Sequence, residues 1–127
     1  MKSKDVDLFE KLKGQLDSLY EEISMLAKKA PNDAVNNFKI KFVNATLVHC
    51  NSFFGDKYKP FADFVTFETD ELPTNSDVTF ILAQYIECAE KFRADNIEYD
   101  EYSKWYWKVE DGRYELKTAP PKKLINK

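Results

Sequence analysis

Six apolar side chains near the start of the chain, Phe9, Leu12, Leu16, Leu19, Ile23 and Leu26, follow one another at intervals of three, four, three, four and three residues. An α-helix repeats every ~3.6 residues, so this spacing lays all six along one side and leaves Glu10, Lys11, Lys13, Asp17, Glu21, Glu22 and Lys28 to water. A helix over residues 4–29 follows, weakened by about 1 kcal/mol at Gly14 and stopped by Pro31, which disfavours helical geometry at Ala30. A single greasy stripe has to be covered, either by the rest of the chain or by a second copy. The first option means a bundle; the second means a helical homodimer.

The remaining periodicity favours the bundle. Val35, Phe38, Phe42, Val43, Thr46, Leu47, Cys50, Phe53 and Phe54 predict a second helix that starts near Asn32 or Asp33 and stops at Gly55, with a face wide enough to be buried on more than one side. Val78, Ile81, Leu82, Tyr85, Ile86, Ala89 and Phe92 predict a third, introduced by Pro73-Thr74-Asn75-Ser76-Asp77 with Thr74 or Ser76 as cap. Residues 56–73 between them are rich in aromatics (Tyr58, Phe61, Phe64, Phe67) and read as a loop folded on the bundle.

Residues 103–118 read as a β-hairpin turning at Asp111-Gly112. That register sets Trp107 opposite Leu116, Trp105 opposite Thr118, Lys108 opposite Glu115, Val109 opposite Tyr114 and Glu110 opposite Arg113, so one face is apolar and covers the helices. The expected fold is mostly α with a small β part (α+β). It comprises a three-helix bundle, an aromatic-rich loop and a C-terminal two-stranded antiparallel β-hairpin packed on it. Residues 1–119 form one domain, followed by a mobile basic tail at 120–127.

Several functions are excluded by what the chain lacks. Three glycines, Gly14, Gly55 and Gly112, are too scattered for a phosphate-binding loop. Metal and nucleophile chemistry fare no better. Cys50 and Cys88 sit among apolar neighbours and read as reduced thiols, and with one histidine they do not complete a zinc set. His49 and Cys50 point about 100° apart on a helix, so they do not form a nucleophile–base pair. Neither catalytic residues, a metal nor a cofactor is expected. No apolar run of about 18 residues is present and Met1-Lys2-Ser3-Lys4-Asp5 lacks an apolar stretch, so a soluble, cytoplasmic protein with no membrane contact is expected.

What remains is charge and aromatic surface. The net charge is −3, but residues 55–103 hold twelve acidic against four basic side chains. The carboxylates cluster as Glu68, Asp70 and Glu71 before the third helix and as Asp95, Glu98, Asp100 and Glu101 after it, the latter interleaved with Tyr99 and Tyr102. Acidic groups steer a basic partner and tyrosines make strong contacts, so these nine residues are the expected partner-binding set of a non-enzymatic protein-binding module. By analogy such a module acts as an inhibitor, immunity or antagonist protein that blocks a basic, nucleic-acid-handling target, itself monomeric or homodimeric. The competing expectation is single-stranded nucleic-acid binding through Lys104, Tyr106, Lys108, Lys117, Lys122 and Lys123 on the hairpin and tail, where lysines meet phosphates and aromatics stack on bases.

Overall fold

The apolar stripe at the start of the chain does form one side of a helix, α1 (Ser3–Lys29), with Phe9, Leu12, Leu16 and Ile23 buried and Leu19 and Leu26 packed partly buried against the same core. A computed structural model describes residues 1–112 and 115–122. After α1 come α2 (Asn37–Tyr58), a 3-10 turn (Thr69–Glu71), α3 (Asn75–Asp95) and two short strands, β1 (Ile97–Tyr99) and β2 (Trp105–Trp107). The chain's own core thus takes up most of the stripe and leaves Leu19 and Leu26 partly exposed.

Capping fixes where the helices meet. Thr74 accepts the Asp77 N–H while the Asp77 carboxylate accepts the Thr74 N–H, a reciprocal box that starts α3. Asn75 then donates from its side chain to Ala30 O at 2.9 Å, closing the end of α1 against the start of α3. At the other end Asp111 accepts both the backbone N–H and the hydroxyl of Ser3, at 2.8 and 2.7 Å, so the hairpin caps α1. These hydroxyl and amide donors hold the Asp111 carboxyl below its ordinary pKa. α1 thus runs antiparallel to α3.

α2 starts later than its apolar spacing suggests. Residues 31–33 turn and Ala34 bridges Thr74 beside the entry to α3, with Val35 N–H donating to Pro73 O, Asn75 N–H to Asp33 O and Ser76 N–H to Pro31 O. The bond from Asn75 takes the Asp33 carbonyl that a helix from residue 32 or 33 would need for its own first turn, and Asn36 becomes the cap instead, accepting from Lys39 N at 2.8 Å. Gly55 has φ 64° and ψ −170° and breaks the helix just past Phe54, as a glycine stop should. The wide apolar face is also only partly used. Ile40, Val43, Thr46, Leu47, Cys50 and Phe54 are buried, whereas Phe38, Phe42 and Val48 are exposed.

The aromatic loop returns along the bundle and makes α2 and α3 parallel. Asn44 clamps it by accepting the Phe67 N–H and donating to Phe67 O, at 2.9 and 3.0 Å, and Asn51 donates to Val65 O while accepting from the Tyr85 hydroxyl.

The hairpin differs from its expected pairing in one respect. β2 pairs antiparallel with β1, Ile97 opposite Trp107 and Tyr99 opposite Trp105, so the regular two-stranded sheet forms with the chain before β2. On the other edge, Trp107 N–H donates to Leu116 O and Thr118 N–H to Trp105 O, which keeps the expected Trp107–Leu116 and Trp105–Thr118 register. Ile97–Tyr99 escaped the sequence reading because a three-residue strand straight after a helix is too short to show alternation. The pairs Glu110–Arg113 and Val109–Tyr114 involve residues outside those described.

Regular structure does not simply end at Pro120. Arg93 and Glu90, both buried, form a bidentate pair, and the same guanidinium donates to Thr118 Oγ1, Ala119 O and Pro120 O at 2.7–2.9 Å. Lys122 N–H adds a bond to Glu90 Oε2. The expected tail is therefore tied down as far as Lys122, and 123–127 lie outside the described residues.

Burial by itself would raise the Glu90 pKa, but Arg93 and the Lys122 amide outweigh it and hold the carboxyl below its ordinary value. Its stabilising effect is thus complete above the unfolded carboxylate pKa of about 4.3 and is lost as pH falls through the lower folded value. Glu90→Gln is expected to be less stable than the wild type near neutrality, with the two urea-unfolding free energies converging on acidification. Arg93→Met is expected to cost about 3 kcal/mol or more, and the Glu90→Met/Arg93→Met double variant less than the two single losses combined. Additive losses would show that the pair is uncoupled.

Candidate interaction site

The β1–β2 turn is built around one carboxylate. Asp100 Oδ1 accepts the N–H groups of Tyr102 and Lys104 at 2.9 and 3.0 Å. Its own N–H donates to Lys104 O, and its carbonyl accepts the Ser103 N–H. Ser103 supplies the positive φ, 61°, that lets the chain reverse. The Tyr106 side chain also bonds to Asp100. The Lys104 amide first, then the Tyr102 amide and Tyr106, hold the Asp100 carboxyl ionised below its ordinary range.

What this turn displays is aromatic and acidic. Tyr99 is exposed on one side and stacks on Trp105, ring centroids 4.8 Å apart at 30°, an arrangement worth about 0.5–1.5 kcal/mol beyond its area. Tyr102 stands 75% exposed at the tip. Glu101 is exposed beside it, and Glu98 is half-buried on β1. Asp95 lies at the end of α3, where it accepts the Tyr58 hydroxyl at 2.8 Å; burial and this bond raise the tyrosine's pKa. Asp95, itself exposed, therefore steadies the end of α2. Trp105 packs partly buried against the core, as its alternation suggests, and also stacks under Tyr99, which brings it to the edge of the site.

Glu68, Asp70 and Glu71 are exposed at the opposite end of the bundle, before α3. The 21 residues of α3 separate the two acidic groups by about 30 Å, at ~1.5 Å per residue. The nine predicted residues thus form two surfaces rather than one.

The nucleic-acid set does not converge. Tyr106 is 8% exposed and bonded to Asp100, so no base can stack on it. Lys104 stands in the acidic turn, Lys108 follows β2 and reaches the Asp95 carbonyl at 3.5 Å, and Lys117 and Lys122 border a cavity of about 420 Å³ beside α1 and Arg93. Lys123 lies outside the described residues. His49 is exposed, Cys50 is buried with its thiol pushed up to about 12, and Cys88 is half-buried with its thiol also raised by burial. Both thiols are unpaired and protonated at neutral pH. Among the described residues no group of three His, Cys, Asp or Glu side chains is placed to hold a metal ion.

Asp100→Ala removes the acceptor that orders the turn. Amide exchange at Tyr102 and Lys104 is expected to speed up while exchange in α1 and α3 stays as in the wild type. The same loosening is expected in the wild type when pH falls below the depressed Asp100 pKa, and it should be absent above the ordinary carboxylate range. Unchanged exchange at the two amides would remove Asp100 from this role.

Comparison with family models, curated proteins and solved structures found no match to this chain.

Proposed function

We propose that the protein is a non-enzymatic binding module that presents the β1–β2 turn to a basic protein partner. The observation that carries this reading is the Asp100-centred turn, which leaves Tyr99 and Tyr102 exposed next to Glu98 and Glu101. Tyrosines fixed in advance lose little entropy on contact and bury a large area, while the flanking carboxylates speed encounter with a positive surface and disfavour acidic ones. An inhibitor or immunity-type role fits this chemistry, since occupying a basic nucleic-acid-handling surface is enough to block it. The two unpaired cysteines fit a reducing, cytoplasmic setting.

The experiment compares wild type with Tyr99→Ala/Tyr102→Ala as immobilised baits in extract from the source cells, followed by mass spectrometry. A protein of high pI is expected to be held by the wild type at low salt, released as salt rises and retained by the double variant at least about tenfold less. Retention that is equal on both baits would overturn the reading. So would the absence of any retained basic protein, or binding of labelled single-stranded DNA or RNA by the wild type with a steep salt dependence.

A further inference from the structure

The other end of the bundle carries its own exposed apolar surface. Phe38 is 70% exposed and meets Phe42 edge-on, centroids 5.0 Å apart, on the outer side of α2. Lys41, exposed between them and the loop, lines a groove of about 420 Å³ together with Asn37, Ile40, Thr69, Asp70 and Leu72. Leu72 closes that groove in a left-handed conformation, φ 53° and ψ 63°, with 62% of its surface in water. A branched residue in this conformation is strained by about 1–2 kcal/mol relative to the ordinary right-handed one, and exposure gives it no burial in return.

Charge selects the occupant. Glu68, Asp70 and Glu71 are exposed beside the groove, and none of their side chains has a hydrogen bond or ion pair among the described residues. We propose that the groove between α2 and the Thr69–Leu72 turn is a second docking site. It takes a segment of another protein whose apolar side chains cover Phe38, Phe42 and Leu72 and whose adjacent lysines or arginines meet Glu68, Asp70 and Glu71. A second copy of this chain would set the same carboxylates against one another, and an anionic membrane would be repelled by them. This site lies some 30 Å from the β1–β2 turn and stands or falls separately from it.

A displayed library of random 16-residue peptides tests the proposal without assuming a sequence. Peptides would be selected on the intact wild-type protein and counter-selected on Phe38→Ser/Phe42→Ser. Survivors are expected to combine apolar residues with an excess of Lys and Arg. A synthetic survivor should shift the amide resonances of residues 37–42 and 69–72, bind at least about tenfold more weakly to the double variant, and bind Tyr99→Ala/Tyr102→Ala as well as wild type.

Leu72→Gly separates function from folding. It should raise the urea midpoint by relieving the positive φ, yet weaken the peptide. No survivors, acidic survivors, shifts confined to other residues, concentration-dependent self-association through this face, or equal binding of phosphatidylserine vesicles by wild type and double variant would each overturn it. A Leu72→Gly protein that binds as wild type does would remove Leu72 from the site.

Discussion

The three helices of this fold meet at Phe92. Its ring lies 5.4 Å from Phe9 of α1 and 5.0, 5.9 and 5.2 Å from Phe53, Phe54 and Tyr58 of α2, while Phe9 in turn packs edge-on against Trp107 of β2 at 5.2 Å. Each such pair adds about 0.5–1.5 kcal/mol to the burial of its rings, but the geometric effect matters more. Rings of this size have few ways to interlock, so the joint sets how the three helices are rotated about their axes and where the hairpin sits on them. Gly55 serves the same joint. Its positive φ breaks α2 three residues before Tyr58, whose ring packs on Phe92 and whose hydroxyl reaches Asp95. A rigid β1–β2 turn is a consequence, because β2 is anchored through Trp107 and Asp100 needs only to order the few residues beyond.

The legible parts of the sequence were those in which one physical requirement acted alone. The α1 stripe, the Thr74–Asp77 box and the positive φ at Gly55 are local, and the three helices with a C-terminal hairpin followed from them. The Trp107–Leu116 register was legible as well, because slipping it by one residue would turn the apolar face outward. The start of α2 was not, since the partner that holds residues 31–35 out of the helix, the 73–76 segment, is some forty residues away. Phe38 and Phe42 show the same limit. Their spacing is helical, yet the apolar positions of α2 spread over more of its circumference than two neighbouring helices and a loop can cover, and periodicity alone does not say which are left out. The acidic residues were recognisable as two groups flanking α3; that they are two surfaces follows only from the length of the helix between them.

The two ends are stabilised by different means. At the hairpin end the buried, mutually bonded Arg93 and Glu90 bind the chain from Thr118 to Lys122, and the exposed Asp111 caps α1, although the buried Trp107 indole N–H has no partner. Such networks rigidify when every member is satisfied. The opposite end is held by backbone pairing between residues 31–35 and 73–76 and by two asparagine clamps on the loop. It leaves carboxylates unpaired and phenylalanines in water. A protein that needed only to be stable would have no reason to treat its ends so differently.

Departures from local rules can therefore be sorted by whether the fold compensates them. The buried Arg93–Glu90 pair breaks the rule against buried charge but is compensated by six hydrogen bonds and a docked chain end. Ser103 adopts a positive φ and is compensated by the turn that Asp100 ties around it. Gly14 weakens α1 in a place where an added Cβ would meet nothing within 4 Å, and nothing in the structure explains it. Leu72 and Phe38 are of another kind, since each combines an exposed apolar side chain with a position where a polar or smaller residue would suit the fold better. Natural sequences are locally consistent except where something other than stability is being selected. Leu72 lines the groove next to Asp70, Phe38 lies on α2 next to its lining residue Asn37, and the docking segment proposed above would supply the compensation that the fold does not.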